Sequence, residues 1–215
     1  MSEHDRNKKN ILVILSNSDK SIDYKIVQQV YDEFSSEFNV LASSPIGGIV
    51  QFLANDEAQE SGVDSKKTIP FDLVDPQNFE ALVIPSMYGG MIDLVNNERL
   101  GYLVIEMYKS KKIVTCIEYG VSGLLSAKNI GNEWIFDGLS LTGPTLHQEL
   151  VDKPPDFTVP SFYMETVIRS NGGEYSCSKE RDPSAIHVIV DSNIVTAQNQ
   201  SSSCLALKIT KLLLS

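Results

Sequence analysis

Residues 81–116 read ALVIPSMYGGMIDLVNNERLGYLVIEMYKSKKIVTC, and this stretch decides the fold. Ala81-Leu-Val-Ile84 is apolar at every position and stops at Pro85, the pattern of a strand buried on both faces. Leu100, Leu103, Val104, Met107 and Tyr108 follow at i, i+3, i+4, i+7 and i+8, the period of an amphipathic helix. Lys112–Cys116 then returns as a second β-rich run. Strand, helix and strand with apolar strands predict a parallel sheet sandwiched by helices.

The same rhythm extends in both directions. Upstream, Ile11-Leu-Val-Ile-Leu15 is another continuous apolar run. Ile22, Ile26, Val30 and Phe34 then recur every four residues, joined by Val27 and Tyr31, and predict a helix with one apolar face. Asn39–Ala42 reads as a strand closed by the turn Ser43-Ser-Pro-Ile-Gly-Gly48, and the polar segment Asp56–Lys67 reads as a solvated loop. Downstream, a helix is expected near Tyr119-Gly120, and a hairpin or short extended insertion over Trp134–Leu141 with Asp137-Gly138 as its turn. Phe162–Ser170 predicts a helix ended by Gly172-Gly173. Ile186–Val190 and Ile194–Thr196 predict strands joined at Asp191-Ser-Asn193, and a closing helix is expected to bury Leu205, Ile209, Leu212 and Leu213. The expected architecture is a doubly wound, mostly parallel α/β fold of the flavodoxin-like kind. Residues 1–10 are expected to be a polar tail and 11–215 one domain.

Composition narrows the partners. The 215 residues carry 18 Lys and Arg against 28 Asp and Glu, a net charge of −10. Phosphate backbones and anionic lipid would repel such a surface, so direct nucleic-acid binding is not expected. No apolar run is long enough to insert in a membrane, and the polar start MSEHDRNKKN does not resemble a secretory signal. Cys116, Cys177 and Cys204 are odd in number, widely spaced and without a CxxC pair. They suit a reducing compartment, which makes the cytoplasm the expected location. No His, Cys or carboxylate cluster has metal-ligand spacing, and no glycine-rich nucleotide loop occurs, so no metal or cofactor is expected.

In doubly wound sheets ligands bind beyond the carboxyl ends of the strands. The residues there are Asn17 and Ser18, Ser44 and Pro45, Ser86, Met87, Tyr88 and Gly89, Glu118 and Tyr119, and Gln198 and Asn199. The candidate pocket drawn from them is Asn17, Ser86, Met87, Tyr88, Gly89, Glu118, Tyr119 and Asn199. Three stretches carry a resemblance. Phe79-Glu-Ala-Leu-Val-Ile-Pro-Ser-Met-Tyr-Gly-Gly-Met-Ile-Asp-Leu94 resembles the "DYDALFIPGGHGAMIDL" segment of the PfpI and class I glutamine amidotransferase-like superfamily. Lys112–Val121 resembles its nucleophile-elbow strand, and His187–Asn199 its closing strand pair. The likeness runs from about Ile11 to Leu213. Within the superfamily, Glu133–Pro144 and Ile84-Pro-Ser86 are most similar to the glutamine amidotransferase-like class 1 domain-containing branch.

The resemblance breaks at the chemistry. Glu118 stands where the superfamily has its nucleophilic Cys, and Tyr119 where it has the catalytic His. Ser86, Met87 and Tyr88 replace a Gly-Gly-His run, and Lys25 and Ile26 stand where relatives keep a Glu that hydrogen-bonds the thiol. Thiol catalysis needs a sulfur with a lowered pKa, and replacing the interacting set removes the mechanism. The helix dipole at such an elbow is expected to hold a carboxylate ionised, hence a weak general acid. Cys116, two residues earlier in an apolar strand, is expected to pack in the core. His147 and Glu149 lie near the superfamily's acidic triad partner and are expected to be solvated, and His187 to sit at the sheet edge. By resemblance, the chain is a non-catalytic, homo-oligomeric subunit of the FERRY complex. That complex is a Rab GTPase effector assembly on early endosomes that engages mRNA and translation machinery through other chains. The alternatives are a glyoxalase- or hydrolase-type enzyme using Glu118 or Cys116, and a small-molecule pocket at Glu118, Tyr119 and Tyr88. In that pocket two phenols beside a carboxylate suit a polar cation or amine.

Overall fold

The computed structural model describes residues 8–18, 23–52, 65–151, 162–179, 182 and 184–215. The first strand, β1 (Asn10–Ile14), starts one residue ahead of the apolar run, and Ile11–Leu15 have no solvent exposure. Helix α1 (Tyr24–Phe34) is capped by Asp23, whose carboxylate accepts the Lys25 N–H at 2.9 Å, and it buries Ile26, Val27, Val30 and Phe34. Ile22, expected on that face, lies outside the described residues. Strands β2 (Asn39–Ser44), β3 (Gly48–Gln51) and β4 (Ser65–Pro70) follow. The expected loop over Asp56–Lys67 is corrected at its end: Ser65, Lys66 and Lys67 belong to β4 and pair antiparallel with β3. Its earlier part, 56–64, is outside the described residues. β4 is second from the sheet edge: Ser65–Thr68 pair with the edge strand β3, and only Ile69 and Pro70 pair inward with β2, so Lys66 and Lys67 lie at the partly solvated margin where polar side chains are tolerated.

Strand β5 (Ala81–Ile84), a short turn of helix α2 (Gly90–Asp93), helix α3 (Glu98–Lys109) and strand β6 (Ile113–Ile117) form the central unit. Asn97 caps α3 by accepting the Leu100 N–H at 3.0 Å. The helix expected after β6 is a 3₁₀ helix, Glu118–Ser126, buried from Tyr119 onward. Trp134–Leu141 is not a hairpin. Gly138 does turn the chain at φ +78°, but β7 (Ser140–Leu141) pairs parallel with the distant β8 (Glu174–Tyr175). What fixes the insertion is Trp134, which donates its indole N–H to the Leu124 carbonyl at 2.7 Å and packs edge-on against Phe136.

Helices α4 (Leu146–Val151) and α5 (Met164–Ser170) precede β8. Strands β9 (Val188–Asp191) and β10 (Ile194–Ala197) pair antiparallel around Ser192 at φ +55°, and helix α6 (Ser203–Leu213) closes the chain. The eight-stranded sheet runs β3-β4-β2-β1-β5-β6-β10-β9, parallel throughout except for its two outermost pairs. Strand order reverses at β1, which has β2 on one side and β5 on the other.

The inward face of α6 differs from the expected one: of Leu205, Ile209, Leu212 and Leu213 only Ile209 packs, partly buried, against the core. Ser203, Ala206, Leu207 and Thr210 are buried, whereas Leu205 and Leu213 are nearly half exposed and Leu212 is 72% exposed. Close packing on the sheet selects small side chains, and Thr210 meets Thr115 of β6 through a 2.6 Å hydroxyl contact. Hydrophobicity alone ranks the leucines first and misses this.

Candidate functional site

The site follows from strand register. β5 and β6 are parallel with Ile84 opposite Cys116, so two residues further on Ser86 stands opposite Glu118. The Ser86 hydroxyl donates to Glu118 Oε2 at 2.6 Å. Glu118 begins the turn into the 3₁₀ helix with φ +51°, the strained left-handed backbone expected of an elbow residue. Gly120 makes that turn possible: a Cβ there would collide with the Ile84 carbonyl oxygen. The elbow is therefore pressed against the end of β5.

Electrostatics differ from expectation. Burial pushes the Glu118 carboxyl up to about 7, against the opposing effect of the Ser86 hydrogen bond. The expectation that a helix terminus would keep Glu118 fully ionised is thus corrected: desolvation outweighs the dipoles at the amino end of the 3₁₀ helix. The rings of Tyr88 and Tyr119 lie 4.4 Å apart between centroids, tilted by 43°. Tyr119 is 5% exposed, and its phenol is driven upward by burial and then by Tyr88, Glu149 and Glu118.

Glu149, expected near the triad-acid position but solvated, belongs to this neighbourhood. It is not solvated: it lies on α4 at 1% exposure, and burial pushes its carboxyl up to about 7. Its Oε2 accepts the Met164 N–H at 2.8 Å, while Oε1 is buried without a hydrogen-bond partner among the described residues. His147, by contrast, is exposed. The only advance signal for Glu149 was its nearness in sequence to the triad-acid position.

The other candidates are placed as follows. Ser86, Glu118, Tyr88 and Tyr119 come together. Met87 is buried, and its sulfur accepts the Ser16 N–H at 3.1 Å. Gly89 leads into α2. Asn17 is committed to the turn after β2, accepting the Ile46 N–H at 2.9 Å and donating to the Gly47 carbonyl at 3.1 Å. Asn199 caps the chain ahead of α6, accepting from the Ser202 N–H and hydroxyl and donating to the Ala185 carbonyl. Both are therefore spent on positioning loops. Asp93 was missed: its carboxylate accepts from the Ser16 hydroxyl and the Asn17 and Ser18 N–H groups, fixing the end of β1. Cys116 is fully buried, and burial drives its thiol pKa upward. Cys177 and Cys204 are free and exposed. His187 precedes β9, half-buried, with Nε2 3.1 Å from the Ser176 hydroxyl. An open groove of about 380 Å³ bordered by Asp72, Arg99 and Tyr102 involves none of the elbow residues. No group of His, Cys, Asp and Glu able to hold a metal occurs among the described residues, nor any helix long and apolar enough to cross a membrane.

Among solved structures the chain is similar to the Rapid Encystment Protein 24 KDa of Francisella tularensis (TM-score 0.78, 21% identity, 96% of this chain and 99% of that one). It is also similar to glyoxalase III from Candida albicans (TM-score 0.78, 15% identity, 95% and 97%). Drosophila melanogaster DJ-1beta matches more loosely (TM-score 0.63, 16% identity, 96% and 90%). The fold is the class I glutamine amidotransferase-like fold that DJ-1 and PfpI proteins share. No family model matches the sequence. Individual relatives do: glutamine amidotransferase-like class 1 domain-containing protein 1 of Xenopus laevis is 30% identical over 175 residues, covering 79% of this chain and 74% of that protein. The Homo sapiens protein of that name is 27% identical over 208 residues, covering 94% and 92%. The chain belongs to the glutamine amidotransferase-like class 1 domain-containing protein 1 family.

Proposed function

We infer that this chain is a non-catalytic, amidotransferase-like subunit that acts as an oligomeric interaction component. By resemblance to its branch, its assembly is the FERRY Rab-effector complex, which links mRNA and translation machinery to early endosomes. The chain would then be cytoplasmic and peripheral on that membrane. The observation that carries the reading is Glu118 at the positive-φ elbow, with Tyr119 beside it and the nearest thiol, Cys116, sealed in the core. Outward-facing Leu205, Leu212 and Leu213 supply apolar surface for self-association. The −10 charge agrees with RNA and lipid being touched by other subunits.

One observation favours a second reading, a glyoxalase- or hydrolase-type enzyme. A carboxyl held at about 7 is matched to proton transfer at neutral pH, and Glu118 has that property. Two measurements separate the readings. Affinity purification from native cells should recover large endosomal adaptor subunits. Turnover of methylglyoxal or an amide that Glu118→Gln abolishes would replace the subunit reading with the enzymatic one.

A further inference from the structure

Glu118 is a carboxyl group with one partner. Ser86 donates to Oε2, no hydrogen bond to Oε1 occurs among the described residues, and no Lys, Arg or His is paired with it there. Among the described residues the groups about it bring no positive charge: Tyr119 and the Tyr88 ring paired with it are neutral phenols, and the group beyond is the Glu149 carboxyl, whose charge bears on Tyr119. A carboxylate withdrawn from water and lacking a counter-ion is unfavourable, and an added cation relieves that state. The group is only partly buried, so it can be reached from solvent. Tyrosine faces attract cations through their quadrupole, and this attraction strengthens where water is excluded. Anions meet the opposite field, in a chain already at −10.

We propose that the elbow is a binding site for a small organic cation, a primary or quaternary ammonium, with the Glu118 carboxylate as counter-ion and Tyr88 and Tyr119 as its aromatic wall. The inference rests on the reading of the elbow as non-catalytic, since it makes the carboxylate a ligand rather than a reacting group. Ser86 holds Oε2, so the cation pairs with Oε1, next to the paired Tyr88 and Tyr119 rings. Binding stabilises the ionised form of Glu118, so uptake of the cation expels a proton whenever the free site is protonated. Affinity therefore falls about tenfold per pH unit below the free carboxyl's midpoint. Among the described residues the groups about Glu118 are Ser86 and Tyr88 from the loop after β5, Tyr119 from the 3₁₀ helix and, beyond Tyr119, Glu149 from α4. Of these only Glu149 titrates in the same range.

The test is calorimetric titration of the full chain with methylammonium and tetramethylammonium chloride at pH 6, 7 and 8, with sodium acetate and acetamide as controls. One saturable cation site is expected, weakening about fivefold from pH 7 to pH 6 for a carboxyl midpoint of about 7. The pH response should persist in Glu149→Gln and binding should vanish in Glu118→Gln. Tyr88→Leu should weaken it about two- to thirty-fold. Folding of each variant is checked by circular dichroism, and the wild-type pH series stands independently of them. Equal cation binding in Glu118→Gln, preference for acetate or acetamide, or no cation binding at any pH overturns the proposal. Turnover assays with methylglyoxal report separately on the non-catalytic reading.

Discussion

Glu149 and Glu165 cap each other's helices. Glu149, on α4, accepts the Met164 N–H at the start of α5 at 2.8 Å, and Glu165, on α5, accepts the Leu146 N–H at the start of α4 at 3.0 Å. Each carboxylate meets a helix amino terminus, where free N–H groups and the dipole favour negative charge. Only Glu149 pays for this with burial, and Glu165 adds a like charge beside it.

Stability should therefore depend on the ionisation of Glu149. Its folded pKa is raised to about 7, above its unfolded value, so its favourable contribution is complete below the unfolded pKa and lost as pH rises through about 7. Glu149→Gln keeps an acceptor for Met164 and removes the charge. It should be more stable than wild type by about 2–3 kcal/mol at pH 8, with the difference shrinking toward pH 5. Urea melts at the two pH values measure this. A variant equally destabilised at both would show that the carboxylate, not its neutral form, is what the fold requires.

Ser86 should tune Glu118. The hydrogen bond opposes the upward shift caused by burial, so Ser86→Ala should move the Glu118 midpoint above about 7. Carbon-13 NMR titration of the glutamate carboxyl groups follows it directly. A midpoint that falls or stays put would mean that the hydroxyl does not favour the ionised form.

Gly120 should tolerate no side chain. The Ile84 carbonyl oxygen blocks a Cβ, and backbone rather than a flexible side chain would have to give way. Gly120→Ala is expected to cost about 3 kcal/mol or more, whereas overpacking elsewhere costs about 1–3 kcal/mol. Gly138→Ala meets open space and carries only the penalty of φ +78°, about 1–2 kcal/mol. Thermal melts of the pair should rank them in that order, and the reverse ranking would refute the close approach at the elbow.

The three cysteines should react in two classes. Cys177 and Cys204 are exposed and should label promptly with a neutral-pH thiol reagent. Cys116 should label only on unfolding, because it is buried and its thiolate is disfavoured. Rapid modification of Cys116 in the native protein, read by peptide mass spectrometry, would revive it as a nucleophile.

How much of this was legible beforehand depended on where each signal lies. β1, β5 and β6 are buried on both faces, so their continuous apolar runs announce them. Glu118 was legible because the elbow depends on local residues, Gly120 above all. β4 was hidden because Lys66 and Lys67 read as loop, and the pairing that makes them a strand comes from Gly48–Gln51. The buried face of α6 was hidden because Thr210 answers Thr115, 95 residues away, and no local period encodes that contact. Glu149 was hidden for the same reason: a lone carboxylate reads as surface until Met164 is brought against it.

The positive φ at Glu118 separates the shape of the elbow from what is mounted on it. That conformation costs a non-glycine residue about 1–2 kcal/mol. Gly120 lets the backbone approach the end of β5 closely, and that approach involves no atom of the 118 side chain. Position 118 is therefore a socket. Cys, Asn or Gly installed there should leave circular dichroism and sheet register unchanged while altering the acidity and charge presented to the same opening. In heritable terms, the chemistry of this site can be exchanged one codon at a time without refolding the protein around it.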